Sequence, residues 1–321
     1  MTQRQIRVVL TGASGTLGRN FLSVVADDPS VHVFALLRDG SREPGAQPRL
    51  ECARVDFDDT LSMNRSIERF EPTCVVHCAA TGMSFPKTRW FNLIRFNVDV
   101  SINLCQCVAS LPGCHFIYVS TGLAYRDQGR PLVETDALDT LHPYGASKAA
   151  ADMLVRAAAA EFGVPVTVLR PFSFTGLWDD RARLFPTLLR AAAEGTAVDL
   201  SPCDQSRDHS SARDICSGIA AAMVAPRSGS AESSIYNLGS GDASPLRAVI
   251  ERVVEEIGLD VNLNFGARAY APYEPMHLVA DIRSARDKLN WKPRHNLAHA
   301  VWQLARESFP RLKVTEPQEW L

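Results

Sequence analysis

Short apolar runs rich in β-branched residues recur through the first half of the chain, at residues 6–10, 31–37, 50–55, 74–78, 115–120 and 166–169. Near-continuous hydrophobicity over such lengths predicts strands buried on both faces. Between them, helical patterns run over residues 16–26, 60–70, 88–110 and 144–162. Regular alternation of strand and helix predicts an α/β fold built on a parallel sheet with helices on both faces. Such sheets bind ligands beyond the carboxyl ends of their strands.

After Arg170 the texture changes. Loops surround helical patterns near residues 185–194 and 214–224, followed by a strand-like run at 235–238, a helix at 245–257 and an irregular tail. The small-residue stretch 226–234 reads as a surface loop. This predicts a main domain over residues 1–170 that recovers a returning strand at about 235–240. Residues 171–234 and 241–321 then form a smaller, interleaved C-terminal lobe.

The first strand runs straight into Thr11-Gly12-Ala13-Ser14-Gly15-Thr16-Leu17-Gly18, and a helix opens within that segment. Glycines there permit a tight turn and let backbone amides approach a pyrophosphate at the helix N-terminus. A glycine trio in this context predicts a doubly wound dinucleotide-binding domain of the Rossmann type. An NAD site usually carries an acid at the end of the second strand. Here that strand ends Leu36-Leu37-Arg38-Asp39. Arg38 suits a 2′-phosphate, which favours NADP; Asp39, one residue on, keeps NAD possible.

Bulk properties narrow the class. The chain has 321 residues, 46% hydrophobic and 22% charged, with a formal net charge of −2. That balance gives no basis for a nucleic-acid or membrane-surface partner. No apolar run approaches the length of a membrane span. The N-terminal residues enter a strand-like run without the apolar core of a signal peptide, so a cytoplasmic protein is expected. None of the eight cysteines forms a CxxC pair. Cys74, His77 and Cys78 are close in sequence, but on a strand His77 points away from the two cysteines. Buried free thiols are expected there and no metal site.

Residues 142–148 read HPYGASK and place Tyr144 and Lys148 one helical turn apart. An ammonium beside a phenol lowers the phenol pKa, which would make Tyr144 a proton donor or acceptor near neutrality. Taken alone, the pair reads first as an exposed helix start with an ordinary Tyr/Lys pair, and the rest of the chain must decide.

With these residues in order, the chain resembles the extended short-chain dehydrogenase/reductase superfamily, the NAD-dependent epimerase/dehydratase family. Thr11–Gly18 is similar to its TGxxGxxG loop, and Tyr144 with Lys148 to its YxxxK pair. The segment 119–125, Val-Ser-Thr-Gly-Leu-Ala-Tyr, resembles the one carrying the catalytic Ser/Thr, which falls on Thr121. The resemblance implies cofactor contacts from Asp56 and Phe57 after the third strand, from Cys78, Ala79 and Ala80 after the fourth, and from Pro171 near the nicotinamide. It implies that Asn97 supports the site from a dimer-forming helix, and that the helices at 88–110 and 144–162 build a homodimer. Arg207-Asp208-His209 resembles the motif whose arginine holds a nucleotide-sugar diphosphate. Asp214, residues 236–241 and Trp291-Lys292-Pro293 complete the pattern.

The chemistry implied is hydride transfer, with Tyr144 exchanging a proton, Lys148 tuning it and Thr121 holding the reacting oxygen. Gly122 and Leu123 stand where sugar 4,6-dehydratases carry an acidic pair, which argues against dehydration. The expected activity is therefore reduction of a 4-keto-6-deoxy nucleotide sugar, with an NAD-dependent 4-epimerase as the alternative. Ser173 stands where related epimerases have a diphosphate-binding asparagine, and the second diphosphate arginine has no clear counterpart, Arg268 being only nearby. Arg181 or Arg183 could supply the missing charge. Those departures also leave room for a carbonyl reductase of a non-nucleotide substrate. A non-catalytic dinucleotide sensor of the same fold is disfavoured by the presence of Thr121, Tyr144 and Lys148.

Overall fold

The computed structural model describes residues 5–82, 90–225 and 233–318. From the N-terminus the order is β1 (Ile6–Thr11), α1 (Thr16–Val25), β2 (Val31–Leu37), β3 (Leu50–Arg54), α2 (Thr60–Phe70) and β4 (Cys74–His77). Then come α3 (Trp90–Ile94), a π-helical turn (Arg95–Asp99), α4 (Val100–Ala109), β5 (His115–Val119), a 3₁₀ turn (Gly122–Ala124), α5 (Pro143–Phe162) and β6 (Val166–Pro171). The second half adds β7 (Ser173–Thr175), α6 (Leu184–Glu194), β8 (Ala197–Asp199), β9 (Ser206–Arg207), β10 (His209–Ser211) and α7 (Ala212–Val224). It ends with β11 (Ser234–Leu238), α8 (Leu246–Glu256), β12 (Asn262–Asn264), β13 (His277–Leu278), α9 (Arg283–Leu289) and α10 (Leu297–Ser308).

Seven strands form one parallel sheet in the order β11-β6-β5-β4-β1-β2-β3. The order reverses between β1 and β4, which opens a crevice at their carboxyl ends. Alternate residues of β1 feed opposite faces, as strand geometry requires. Val8 and Leu10 pack with Phe21 and Leu22 of α1 and Ile215 and Ile219 of α7. Val9 packs on the other face with Met63 of α2, Leu104 of α4 and Val155 of α5. A third apolar cluster joins Leu188 and Leu189 of α6, Val249 and Val253 of α8, and Val301 and Leu304 of α10.

The helices start and stop for local reasons. At α5, the His142 side chain accepts from Gly145 N, Pro143 occupies the first turn, and Gly163 closes the helix at φ 70°. The expected single helix over 88–110 differs from the structure. It is interrupted by the π turn at Arg95–Asp99, because the buried Asn97 bonds to the backbone of Thr81 rather than facing solvent. Residues 88–89 of that expected helix and most of the expected loop at 226–234 lie outside the described residues.

Candidate active site

The glycine loop owes its composition to close backbone approaches. Gly12 has φ +77°, and a Cβ there would lie 2.7 Å from Ala79 N on the neighbouring loop after β4. A Cβ on Gly18 would lie 2.2 Å from Gly12 O, so α1 abuts its own loop. Gly15 caps α1 without any side-chain bond, which leaves the first helical amides for a ligand. Gly12, Ser14 and Gly15 line a groove that continues along Cys78, Ala79 and Ala80 and past Phe57 to Arg38. An uncapped helix N-terminus with backbone brought this close fits a dinucleotide pyrophosphate. When bound, such a cofactor supplies hydride acceptance and return.

Other expected cofactor residues fall elsewhere. Thr16 spends its hydroxyl on Trp178 O, at 3.0 Å, and Gly18 faces the loop. Asp56 is exposed and folds back to accept from Asp58 N. Leu17 and Pro171 line the adjoining pocket and not the groove. Asn97 is fully buried behind the groove. The residues that sequence reasoning missed are Leu36, Leu37, Ser41, Thr81, Phe96 and Val100. The apolar end of β2 signalled the first two; Phe96 lies in the π turn beside Asn97, and Val100 directly follows it at the start of α4.

A second pocket adjoins the groove, sharing Cys78 and Ala80 with it. Thr121, Tyr144 and Ser173 line it together with Ser120 and Arg183. Thr121 caps the 3₁₀ turn, its Oγ1 accepting from Leu123 N at 3.2 Å. Gly145 lets α5 touch that turn: a Cβ there would lie 2.2 Å from Leu123 O. Tyr144 and Thr121 are therefore held by two backbone segments in direct contact.

Lys148 is buried one helical turn along α5, its Nζ 4.3 Å from the centre of the Tyr118 ring. Burial pulls its pKa down to about 7, against the Cys78 thiol and the Asp152 carboxylate, which favour the charged form. Burial pushes the Tyr144 phenol up to about 12, with the Arg183 guanidinium pulling it the other way. This corrects the expectation that Lys148 brings the phenol towards neutrality: in the free protein desolvation wins, and the cation that opposes it is Arg183.

The motif around Arg207 is engaged within the protein. Arg207 pairs with Glu274 in a largely buried ion pair and does not line the Tyr144 pocket. Asp208 is a staple: its carboxylate accepts from Ser240 N, Gly241 N and Ala280 N at 2.7, 2.9 and 3.2 Å. His209 places Nε2 3.0 Å from Thr175 Oγ1, and burial pulls its pKa to about 3, so it stays neutral. His77 lies within hydrogen-bond reach of Thr11 and Ser101 and is neutral for the same reason. Among the described residues, no three His, Cys, Asp or Glu side chains gather where they could hold a metal ion.

Comparison with known proteins places this geometry. The chain is 24% identical over 311 residues to a UDP-glucose 4-epimerase of Lactobacillus helveticus, covering 90% of this chain and 93% of that protein. It is 25% identical over 308 residues to a dTDP-6-deoxy-L-talose 4-dehydrogenase (NAD(P)(+)) of Kitasatospora kifunensis, covering 93% and 94%. The fold matches that of MoeE5, solved in complex with UDP-glucuronic acid and NAD, at a TM-score of 0.83 and 23% identity over 94% of this chain and all of that one. The model of the NAD dependent epimerase/dehydratase family matches residues 8–239. The chain is thus an enzyme of the NAD dependent epimerase/dehydratase family.

Proposed function

We propose that the protein is a nucleotide-sugar 4-epimerase that uses NAD as a recycled hydride carrier. The observation that carries this reading is the junction at Cys78 and Ala80, where the dinucleotide groove opens into the pocket holding Thr121 and Tyr144. A sugar hydroxyl held there by Thr121 would give its proton to Tyr144 in the phenolate form, which the protonated phenol of the free protein must first reach by losing its own proton, as hydride leaves the same carbon for the cofactor, and would recover it when hydride returns to the opposite face. Lys148 lies beneath, one turn away, and is the group of this set that titrates near neutrality. Gly122 and Leu123 offer no acid for the elimination that a dehydratase performs.

The names of the relatives support the epimerase over the keto-sugar reductase expected from the sequence, because UDP-glucose 4-epimerases of Lactobacillus helveticus, Corynebacterium glutamicum and Azospirillum brasilense each align over 90% of this chain. One observation favours the reductase as a second reading. Arg38 lines the groove where a 2′-phosphate would sit, while the exposed Asp39 does not, which suits NADPH as a consumed reductant. Proton NMR of UDP-glucose and UDP-galactose with a catalytic amount of NAD separates the two. Interconversion without net change in absorbance at 340 nm supports the epimerase. Inactivity there, with stoichiometric NADPH oxidation by a 4-keto-6-deoxy sugar nucleotide, replaces it by the reductase.

A further inference from the structure

A buried ammonium is normally paired with a carboxylate. For Lys148, 1% exposed, the carboxylate that favours its charge is Asp152, and Asp152 is already committed. Its Oδ2 accepts from Arg170 Nε at 2.8 Å, and its Oδ1 accepts from Arg170 Nη2 at 3.1 Å and Arg156 Nε at 2.9 Å. Two guanidinium groups therefore hold both oxygens.

The other titratable groups around Lys148 carry no charge near neutral pH. Burial pushes the Cys78 thiol, on the loop after β4, up to about 12. Burial pulls the His77 imidazole of β4 down to about 3, and the Lys148 charge adds to that. Tyr144, one turn away on α5, stays a phenol. Neither thiol, imidazole nor phenol balances the ammonium.

What faces it is an aromatic ring. Lys148 Nζ lies 4.3 Å from the centre of the Tyr118 ring. Tyr118 is fully buried on β5, opposite His77 in the parallel register, with the two rings 5.8 Å apart. Its hydroxyl does not account for its presence. The neighbouring Ser101 Oγ donates to Asn97 O at 2.8 Å and meets His77 Nε2 at 2.9 Å, which leaves Tyr118 Oη buried without a partner among the described residues. An unpaired buried hydroxyl costs stability, so the ring is the part with a task.

A ring face attracts a cation through its quadrupole, most strongly where water is excluded. Unlike a carboxylate, it brings no full charge that would lock the proton onto the amine. A lysine held this way stays in place and still titrates within the working range of an enzyme.

We infer that Tyr118 is a positioning residue for the reaction: the face of its ring, and not its hydroxyl, takes the place of a counter-ion for the Lys148 ammonium one turn from Tyr144. The inference concerns proton exchange at Tyr144 and does not depend on which sugar is bound.

The chain has five lysines, so carbon-13 NMR of the whole protein labelled at lysine Cε follows each through a pH titration. The Lys148 signal is the one that disappears in Lys148→Met. Tyr118→Phe keeps the ring and should leave the Lys148 proton affinity within about twofold. Tyr118→Leu removes the ring and should weaken that affinity about tenfold, moving the titration down by about one pH unit. The limb of the kcat/KM profile set by this group, measured on UDP-glucose, should move down with it. A residue that only fills space would move neither. Should the leucine variant fail to fold, phenylalanines carrying one, two and three ring fluorines at position 118 keep the shape and weaken the ring face stepwise. Their Lys148 titration should fall in the same order. A flat fluorine series, or a folded leucine variant that titrates as the unmodified protein does, overturns the inference. A phenylalanine variant that falls as far as the leucine one overturns it too, because the hydroxyl would then be the active part. The titration needs no substrate, so its outcome is separate from that of the nucleotide-sugar reading.

Discussion

Asn97 Nδ2 donates to Ser147 Oγ at 2.8 Å, and Ser147 Oγ donates in turn to the Tyr144 carbonyl at 2.8 Å. The same amide donates to Thr81 O at 2.9 Å and accepts from Thr81 N at 2.8 Å. One buried side chain thus ties the loop after β4, which lines the dinucleotide groove, to the turn of α5 that carries the phenol. The π turn around Asn97 aims the amide inward, a common use of such bulges at functional sites. Asn97→Leu would take a hydrogen-bond partner from three polar groups, Thr81 N, Thr81 O and Ser147 Oγ. It should destabilise the fold by about 1–3 kcal/mol and lower kcat more than it raises KM. Urea denaturation and steady-state kinetics check this; an unchanged kcat would remove the positioning role.

The Lys148 ammonium makes stability depend on pH in a specific direction. Lysine titrates at 10.5 in the reference state, and burial lowers Lys148 to about 7 in the folded chain. Between those values the unfolded chain binds more protons, so this group makes stability rise with pH. Below about pH 7 both states carry the proton and the full desolvation penalty remains. Lys148→Met should therefore be more stable than the unmodified protein at pH 6, with the gap narrowing by pH 9.5, while turnover is lost at both. Urea midpoints across that range measure it, and a gap that ignores pH contradicts the assignment.

Much of this was legible from the sequence because parallel-sheet strands are apolar on both faces and the glycine loop has few structural alternatives. Even the spacing within HPYGASK has a physical reading, since Gly145 admits the Leu123 carbonyl and Ser147 receives Asn97. The motifs of the second half were harder to interpret because their residues serve the fold. Asp208 staples two loops, and Asp214 accepts from Arg294 N and His295 N. Tyr125, Arg170 and Asn237 form a buried network with Asp152. Spacing could not reveal that Arg207 is claimed by Glu274, sixty-seven residues away, or that Arg183 reaches the phenol's pocket. Both depend on long-range packing, which has no local period. The pKa of Tyr144 was misjudged for a related reason: the neighbouring charge can be read from the chain, but the depth of burial cannot.

The dinucleotide preference turns on Arg38. Its guanidinium lies 5.3 Å from the centre of the Phe96 ring, at the far end of the groove from the glycine loop. If it reads a 2′-phosphate, Arg38→Ala should weaken NADP binding by about tenfold, the value of one charge-assisted hydrogen bond, and leave NAD within about threefold. Fluorescence titration with both dinucleotides checks this. Equal losses would mean that Arg38 only stacks beside the adenosine, and the cofactor would then be NAD on the evidence of the groove.

The expected homodimer rests on an apolar surface carried by two helices. Trp90, Phe91 and Ile94 of α3 and Met153 and Leu154 of α5 are exposed, Phe91 to 67%. α3 and α5 are neighbours in the fold, so these side chains lie on adjoining elements. Leu141 and Val224, also exposed, belong to neither helix. Isolated exposed apolar residues need no explanation, but grouped aromatics call for a cover. Two such helices meeting their symmetry mates would close an isologous interface, with each aromatic burying about 150–250 Å². Light scattering after size exclusion should give a mass near twice the 35.2 kDa of one chain. Phe91→Glu combined with Leu154→Glu should reduce it to one chain while circular dichroism stays unchanged, because neither side chain belongs to the buried core. A monomeric unmodified protein at micromolar concentration would leave this surface without a second copy to cover it, and the dimer would be withdrawn.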